Sequence, residues 1–87
     1  MAVNLTPRQR DVVRLLSLGC TVREAALVLG LAPSTVDNVK TAAMERLGTN
    51  KLALVTRLAI KYRVTSMKDQ LTRAEKRKSG RRKDGWN

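Results

Sequence analysis

The chain has 87 residues, which is the length of one small domain. It carries no His, a single Cys and a net charge of +11. This composition excludes a disulfide framework within the chain and leaves no clustered ligand set for a metal. It points instead to a polyanionic partner, with nucleic acid ahead of an anionic membrane surface. General acid–base chemistry usually draws on His or on paired carboxylates in a cleft, and here seven acids are scattered along the chain, so neither an enzyme nor a bound cofactor is expected. Only Tyr62 and Trp86 are aromatic, so a core must be built from Leu, Val, Ile, Ala and Met. No apolar run approaches the length of a membrane span and no secretory signal opens the chain. The expected address is the cytoplasm.

Taken in order, Met1 to Leu5 should be loosely ordered, with Leu5 packing on the domain. Thr6-Pro7-Arg8-Gln9 reads as a helix start, because Thr6 can cap, Pro7 suits the first helical position and Gln9 closes a capping box. This first helix should run to about Leu18 and stop at Gly19. Val12, Val13, Leu15 and Leu16 form its apolar stripe, and Arg8, Arg10, Asp11 and Arg14 should stay in water. Cys20, between two helices, reads as a small buried hydrophobe. Thr21 opens a second capping box with Glu24, and Gly30 supplies a left-handed stop after Leu29. Val22, Leu27, Val28 and Leu29 make the second helix apolar nearly all round, which predicts burial on more than one side. Ala25 and Ala26 are small enough to let two helix backbones approach closely.

Leu31-Ala32-Pro33 is a turn, and a third helix should run from Pro33 to about Leu47, ending at Gly48. Ala32 is a poor capping residue, so this start is less well fixed than the first two. At 3.6 residues per turn Val36, Val39, Ala43 and Leu47 share an inner face. Ser34, Asn38, Thr41 and Glu45 lie opposite, flanked by Asp37 and Ala42. Short helix, tight turn, second helix with a polar outer face: Thr21 to Leu47 has the plan of a helix-turn-helix, whose second helix enters the DNA major groove.

Asn50 is expected to cap a fourth helix from about Lys51 to Tyr62. Leu52, Val55, Leu58, Ala59 and Tyr62 should cover the core, and Leu54 and Ile60 fall elsewhere. Residues 1–63 form the predicted DNA-binding domain, and 64–87 a basic extension. Within that extension Met67, Leu71 and Ala74 suggest a marginal fifth helix from about Ser66 to Arg77. Arg77 to Asn87 is basic, contains Gly and should be disordered. Residues 64–87 carry eight Lys or Arg against three acids, and residues 1–63 carry ten against four, so both parts are basic. Lys76, Arg77, Lys78, Arg81, Arg82 and Lys83 read as a non-specific DNA arm, because a flexible cationic tail beside a DNA-bound domain sees a high local phosphate concentration.

Residues 5–63 resemble the DNA-binding domain of the LuxR/GerE family of bacterial transcription regulators. The resemblance rests on Leu5-Thr6-Pro7-Arg8, Glu24 with Ala26, Leu29-Gly30-Leu31, Pro33, Thr35-Val36 and Leu47-Gly48. It implies an all-α, four-helix domain with the third helix in the major groove, acting on promoter DNA on the bacterial nucleoid. It also implies a homodimer through the fourth helix, with Leu54, Arg57, Leu58 and Lys61 at the contact. By position, base contacts fall on Asp37, Asn38 and Thr41, and backbone contacts on Thr21, Arg23, Thr35, Lys40 and Arg46.

The chain departs from the family's pattern in three places. Asp37 and Glu45 stand where basic or neutral residues are common. A carboxylate facing cytosine N4 can read that base, and Asn38 suits adenine N6 and N7. Leu27 and Val28 are apolar where polar residues are usual, and the extension is expected to cover them through Met67 and Leu71. With Met1 as the natural start there is no receiver or ligand-binding domain, which implies a stand-alone reader. RNA polymerase or another regulator would be a further partner. Two other readings compete: a sigma-factor region-4-like module, and a protein-interaction adaptor or anti-activator on the same fold.

Overall fold

The computed structural model describes residues 4–80, in which four helices joined by short turns are followed by a longer segment and a fifth helix, and no β-strand occurs. They are α1 (Pro7–Ser17), α2 (Val22–Leu29), α3 (Pro33–Leu47), α4 (Leu52–Lys61) and α5 (Arg73–Ser79). α1 packs on α2, α3 and α4; α3 packs on α2 and α4; α5 packs on α2. The architecture is all-α, as the sequence implies.

Three helices start from the same device. Thr6, Thr21 and Thr72 each accept the amide of the residue three positions on, and Gln9, Glu24 and Glu75 each accept the capping amide in return. Each box satisfies two amides that the first helical turn leaves without partners. α3 begins at Ala32 with no side-chain cap and relies on Pro33. Gly30 (φ 67°) and Gly48 (φ 79°) take the left-handed conformation that closes α2 and α3, where a side chain would be strained.

The core has two lobes on either side of α1. One gathers Val12, Leu15, Cys20, Ala25, Ala26, Val36 and Leu71; the other gathers Leu5, Val13, Ala43, Leu47, Val55 and Ala59. Cys20 is buried, in its expected role as a small hydrophobe. Ala25, Val36, Ala43 and Ala59 have no solvent contact, so it is small side chains that let the helix axes come close.

The structure corrects the sequence reading in several places. α4 is not capped by Asn50: its cap position is Lys51, whose amide donates to Thr49 Oγ1 at 3.0 Å. Leu52 does not cover the core and is 54% exposed. α4 ends with no glycine, because Arg63 itself adopts the left-handed conformation (φ 61°) while the Val64 amide bonds back to the Ala59 carbonyl at 2.8 Å.

The fifth helix begins at Arg73 rather than near Ser66. Ser66 to Asp69 instead form a turn closed by the Asp69 amide on the Ser66 carbonyl, and Thr72 starts the helix with its capping box. The helix runs past Arg77, so Lys78 and Ser79 are helical rather than part of a disordered tail. Leu71 covers α2 as expected, with Val28 half-buried against the same lobe. Met67 does not contribute, at 84% exposed, and Leu27 stays 56% exposed.

Arg14 is the largest correction. It was expected in water, yet only a quarter of its side chain is exposed. Its guanidinium donates to Asp69 Oδ2 (2.9 Å) and Oδ1 (3.2 Å), to Glu75 Oε2 (2.7 Å) and to the Gln70 carbonyl (3.0 Å). The Thr65 hydroxyl adds a 2.7 Å bond to Asp69 Oδ2. Arg14 thereby ties α1 to both ends of the segment that leads into α5. The Arg14 hydrogen bonds hold the Asp69 carboxyl below its ordinary range, with Thr65 adding to the effect. Burial opposes the charge on Glu75, but bonds from Arg14 and the Thr72 amide overcome it and keep that carboxyl low as well. The two acids in turn raise the Arg14 pKa, chiefly through the Asp69 hydrogen bond.

Leu71→Ala should lower stability by about 2–4 kcal/mol, the usual consequence of opening a buried leucine site, whereas Met67→Ala should stay within about 0.5 kcal/mol. Urea midpoints of the two variants measure the difference. Both lowered carboxyl pKa values place the stabilisation above the unfolded value of about 4, and it is lost as pH falls through the folded values. Acidification below about pH 4 should therefore move the amide NMR signals of residues 70–79 before those of α1, α2 and α3.

Candidate nucleic-acid interface

α3 owes its outer face to the inner one. Val36, Ala43 and Leu47 are buried and Val39 is half-buried, so the packed side fixes the rotation of the helix about its axis. Asp37, Asn38, Thr41 and Glu45 then face solvent, together with Ser34 and Thr35. All are short or flexible, and none raises an apolar bulk that would hold a base edge away. The face that the helical period predicts is therefore assembled as one continuous polar strip.

Within the strip the polar groups already engage one another. Asp37 Oδ1 accepts from Lys40 Nζ at 3.0 Å, one turn along the helix. The partner of this carboxylate is thus Lys40. The pair is solvated on the Asp37 side, so it contributes little to stability and can be exchanged for other partners. Thr41 donates its hydroxyl to the Asp37 carbonyl at 3.0 Å, which leaves its oxygen lone pairs facing out as acceptors. Asn38 is exposed and presents both a donor and an acceptor, the combination that matches adenine in the major groove.

The candidate backbone contacts surround this strip. Thr21 is exposed at the start of α2, where its hydroxyl accepts the Glu24 amide and can donate outward. Arg23 is exposed in the first turn of α2, and Thr35 in the first turn of α3. The N-termini of both helices add partial positive charge from their unpaired amides. Arg46 lies near the far end of α3 and donates to the Asn4 carbonyl at 2.8 Å, which steadies the segment before α1 and leaves further guanidinium donors available.

On α4, Leu54, Arg57 and Lys61 are exposed, and Leu58 is half-buried beside them. Together with Leu47, Gly48 and Thr49 they line one shallow groove, with Leu54 and Leu58 as its apolar side chains on α4. Of the expected basic arm, Arg77 and Lys78 are exposed on α5 and Lys76 is half-buried; Arg81, Arg82, Lys83 and Trp86 lie outside the described residues. Among the described residues no group of three or more Cys, Asp or Glu side chains gathers into a metal site, and no helix is long and apolar enough to cross a membrane.

Residues 3–59, about two-thirds of the chain, match the family of bacterial regulatory proteins called the luxR family, or GerE. The chain belongs to that family. Its helix-turn-helix is accordingly a DNA-binding domain of a transcription regulator. No curated protein and no solved structure matches the chain. The family match ends inside α4, so α5 and the turn before it lie beyond the matched region.

Sequence reasoning missed the docking role of Arg14, Asp69 and Glu75. One signal for it was present: Thr72-Arg73-Ala74-Glu75 has the same spacing as the other two capping boxes and marks where α5 begins.

Removing the Asp37 carboxylate should free Lys40 and take one negative charge off the α3 strip. Asp37→Ala is expected to tighten binding to a random-sequence duplex about three- to tenfold at low salt, with the gain shrinking as salt rises, in a fluorescence anisotropy titration.

Proposed function

We propose that this LuxR-family domain binds promoter DNA as a homodimer, with α3 lying in the major groove of each half-site. The observation that carries the reading is the continuous polar strip of α3, held outward by the packing of Val36, Ala43 and Leu47 on the inner face and lacking any apolar bulk. Asn38 pairs with adenine. Asp37 accepts from cytosine N4 when Lys40 turns to phosphate, and Thr41 accepts from a neighbouring base. Thr21, Arg23, Thr35, Lys40 and Arg46 hold the phosphates and so set register and affinity rather than sequence preference. Self-association uses Leu54, Arg57, Leu58 and Lys61, since an exposed leucine on a helix flanked by long cationic side chains gains from burial against a second copy. The protein works at the nucleoid, where its charge of +11 favours retention on DNA.

The adaptor reading, in which the chain engages RNA polymerase or another regulator, draws its support from the exposed Leu27 and Leu54 and from the acidic Asp37 and Glu45 on α3. Against the region-4-like module stands the family match itself, which runs through α3 and into α4.

Selection of duplexes from a random pool, at near-physiological salt with competitor DNA, tests the proposal. A motif of two half-sites is expected. Asn38→Ala should lose preference at one base pair per half-site, worth roughly 1–3 kcal/mol of discrimination, while the slope of log affinity against log salt stays unchanged. Retention with no enriched motif would leave only charge-driven coating of DNA. No retention would move the weight to the adaptor.

A further inference from the structure

The segment after α4 lies beyond the family match, yet it is folded onto the domain at defined points. Leu71 is buried in the lobe shared by α1, α2 and α3, Ser79 is buried at the far end of α5, and Arg14 grips Asp69 before Leu71 and Glu75 after it. α5 therefore has a fixed place alongside α2, the helix that crosses the DNA backbone in a helix-turn-helix complex.

Charge gives this placement a consequence. Residues 64–80 contain five cations, Lys68, Arg73, Lys76, Arg77 and Lys78, and two acids, Asp69 and Glu75. Both acids are turned inward onto Arg14. On α5 a free Glu75 would stand one turn from Lys78 and could pair with it. Arg14 takes that carboxylate away, so the exposed side of α5, with Arg73, Arg77 and Lys78, is purely cationic.

We propose that α5 is a phosphate-binding helix: it extends the DNA contact of α2 along the sugar–phosphate backbone, and Arg14 is the residue that positions it. The proposal rests on the DNA-binding reading above. Packed helices stand about 8–10 Å apart, and duplex DNA presents a negative charge every ~1.7 Å along its axis. A cationic helix packed beside α2 would then add phosphate contacts to those of Thr21 and Arg23. Because α5 is docked, its cations meet DNA without the loss of conformational freedom that a flexible tail would undergo.

The test uses the full chain on a duplex containing its selected site, with salt-dependent anisotropy and hydroxyl-radical footprinting. The paired substitution Arg77→Gln and Lys78→Gln lies on exposed positions and should leave the fold intact. It is expected to flatten the salt slope by roughly two units and to remove backbone protection at one flank of each half-site, with the central protection retained. Arg14→Met should give the same loss of flank protection, and adding the Arg77 and Lys78 changes to it should have little further effect. Arg14→Lys, which keeps the charge but not the forked geometry, should recover part of the flank protection.

If the chain binds its site and Arg77→Gln with Lys78→Gln changes neither slope nor flank, the assignment of α5 is overturned and the DNA reading stands. A flattened slope with unaltered flank protection also overturns it, since the charges would then act only from a distance. A wild-type chain that binds no duplex overturns both.

Discussion

The close crossing of α1, α2 and α3 at Ala25, Ala26 and Val36 is the constraint on which the rest of the molecule depends. These side chains are at most 3% exposed, and the first and last have no solvent contact at all. The chain has no Phe, and its two aromatic residues stand at positions 62 and 86, so this crossing is filled by short aliphatic groups. Alanine permits a short distance between helix axes and valine fills what space is left. A larger group at Ala25 would push α2 off α3 and tilt the outer strip of α3 relative to the rest of the domain. The functional face is thus defined from behind, by residues that never meet the ligand.

That logic explains which parts of the fold were legible in the sequence. Helical periodicity placed the inner and outer faces of α3 correctly, because one face packs on the core and the whole helix keeps the same period. Two capping boxes and the glycines at 19, 30 and 48 marked most of the boundaries. The reading failed where local signals competed. Ser66 and Asp69 share the spacing of a helix start, as do Thr72 and Glu75. The second pair won because Asp69 is drawn to Arg14 and Thr65 and is not available to cap. At the end of α4 no glycine marks the stop, and Arg63 adopts the left-handed backbone itself, at an energetic cost of about 1–2 kcal/mol that surrounding contacts must offset.

Arg14 was illegible for a different reason. Its partners lie 55 and 61 residues away, and nothing in the periodicity of α1 separates it from Arg10, which is exposed. Both stand beside the apolar stripe, where a long side chain can reach either water or a neighbouring element. Only the path of the later chain decides between them. The candidate site shows the same division. The positions of Asp37, Asn38 and Thr41 on one strip follow from the period, whereas the Asp37–Lys40 pair and the inward bond of Thr41 depend on rotamers that a sequence does not specify.

The two ion clusters of the molecule make a physical contrast. Asp37 is 55% exposed in its pair with Lys40, whose own side chain is largely enclosed, so the carboxylate side of that pair stays open to water and to exchange. Arg14 with Asp69 and Glu75 is three-quarters enclosed on the Arg14 side and satisfied by several hydrogen bonds, so breaking it leaves charges without equivalent partners. The first arrangement suits a surface that must exchange contacts on binding, and the second a joint that must hold while binding occurs. Salt should therefore weaken the first far more than the second. The docked extension therefore keeps its geometry at ionic strengths that already loosen the Asp37–Lys40 pair.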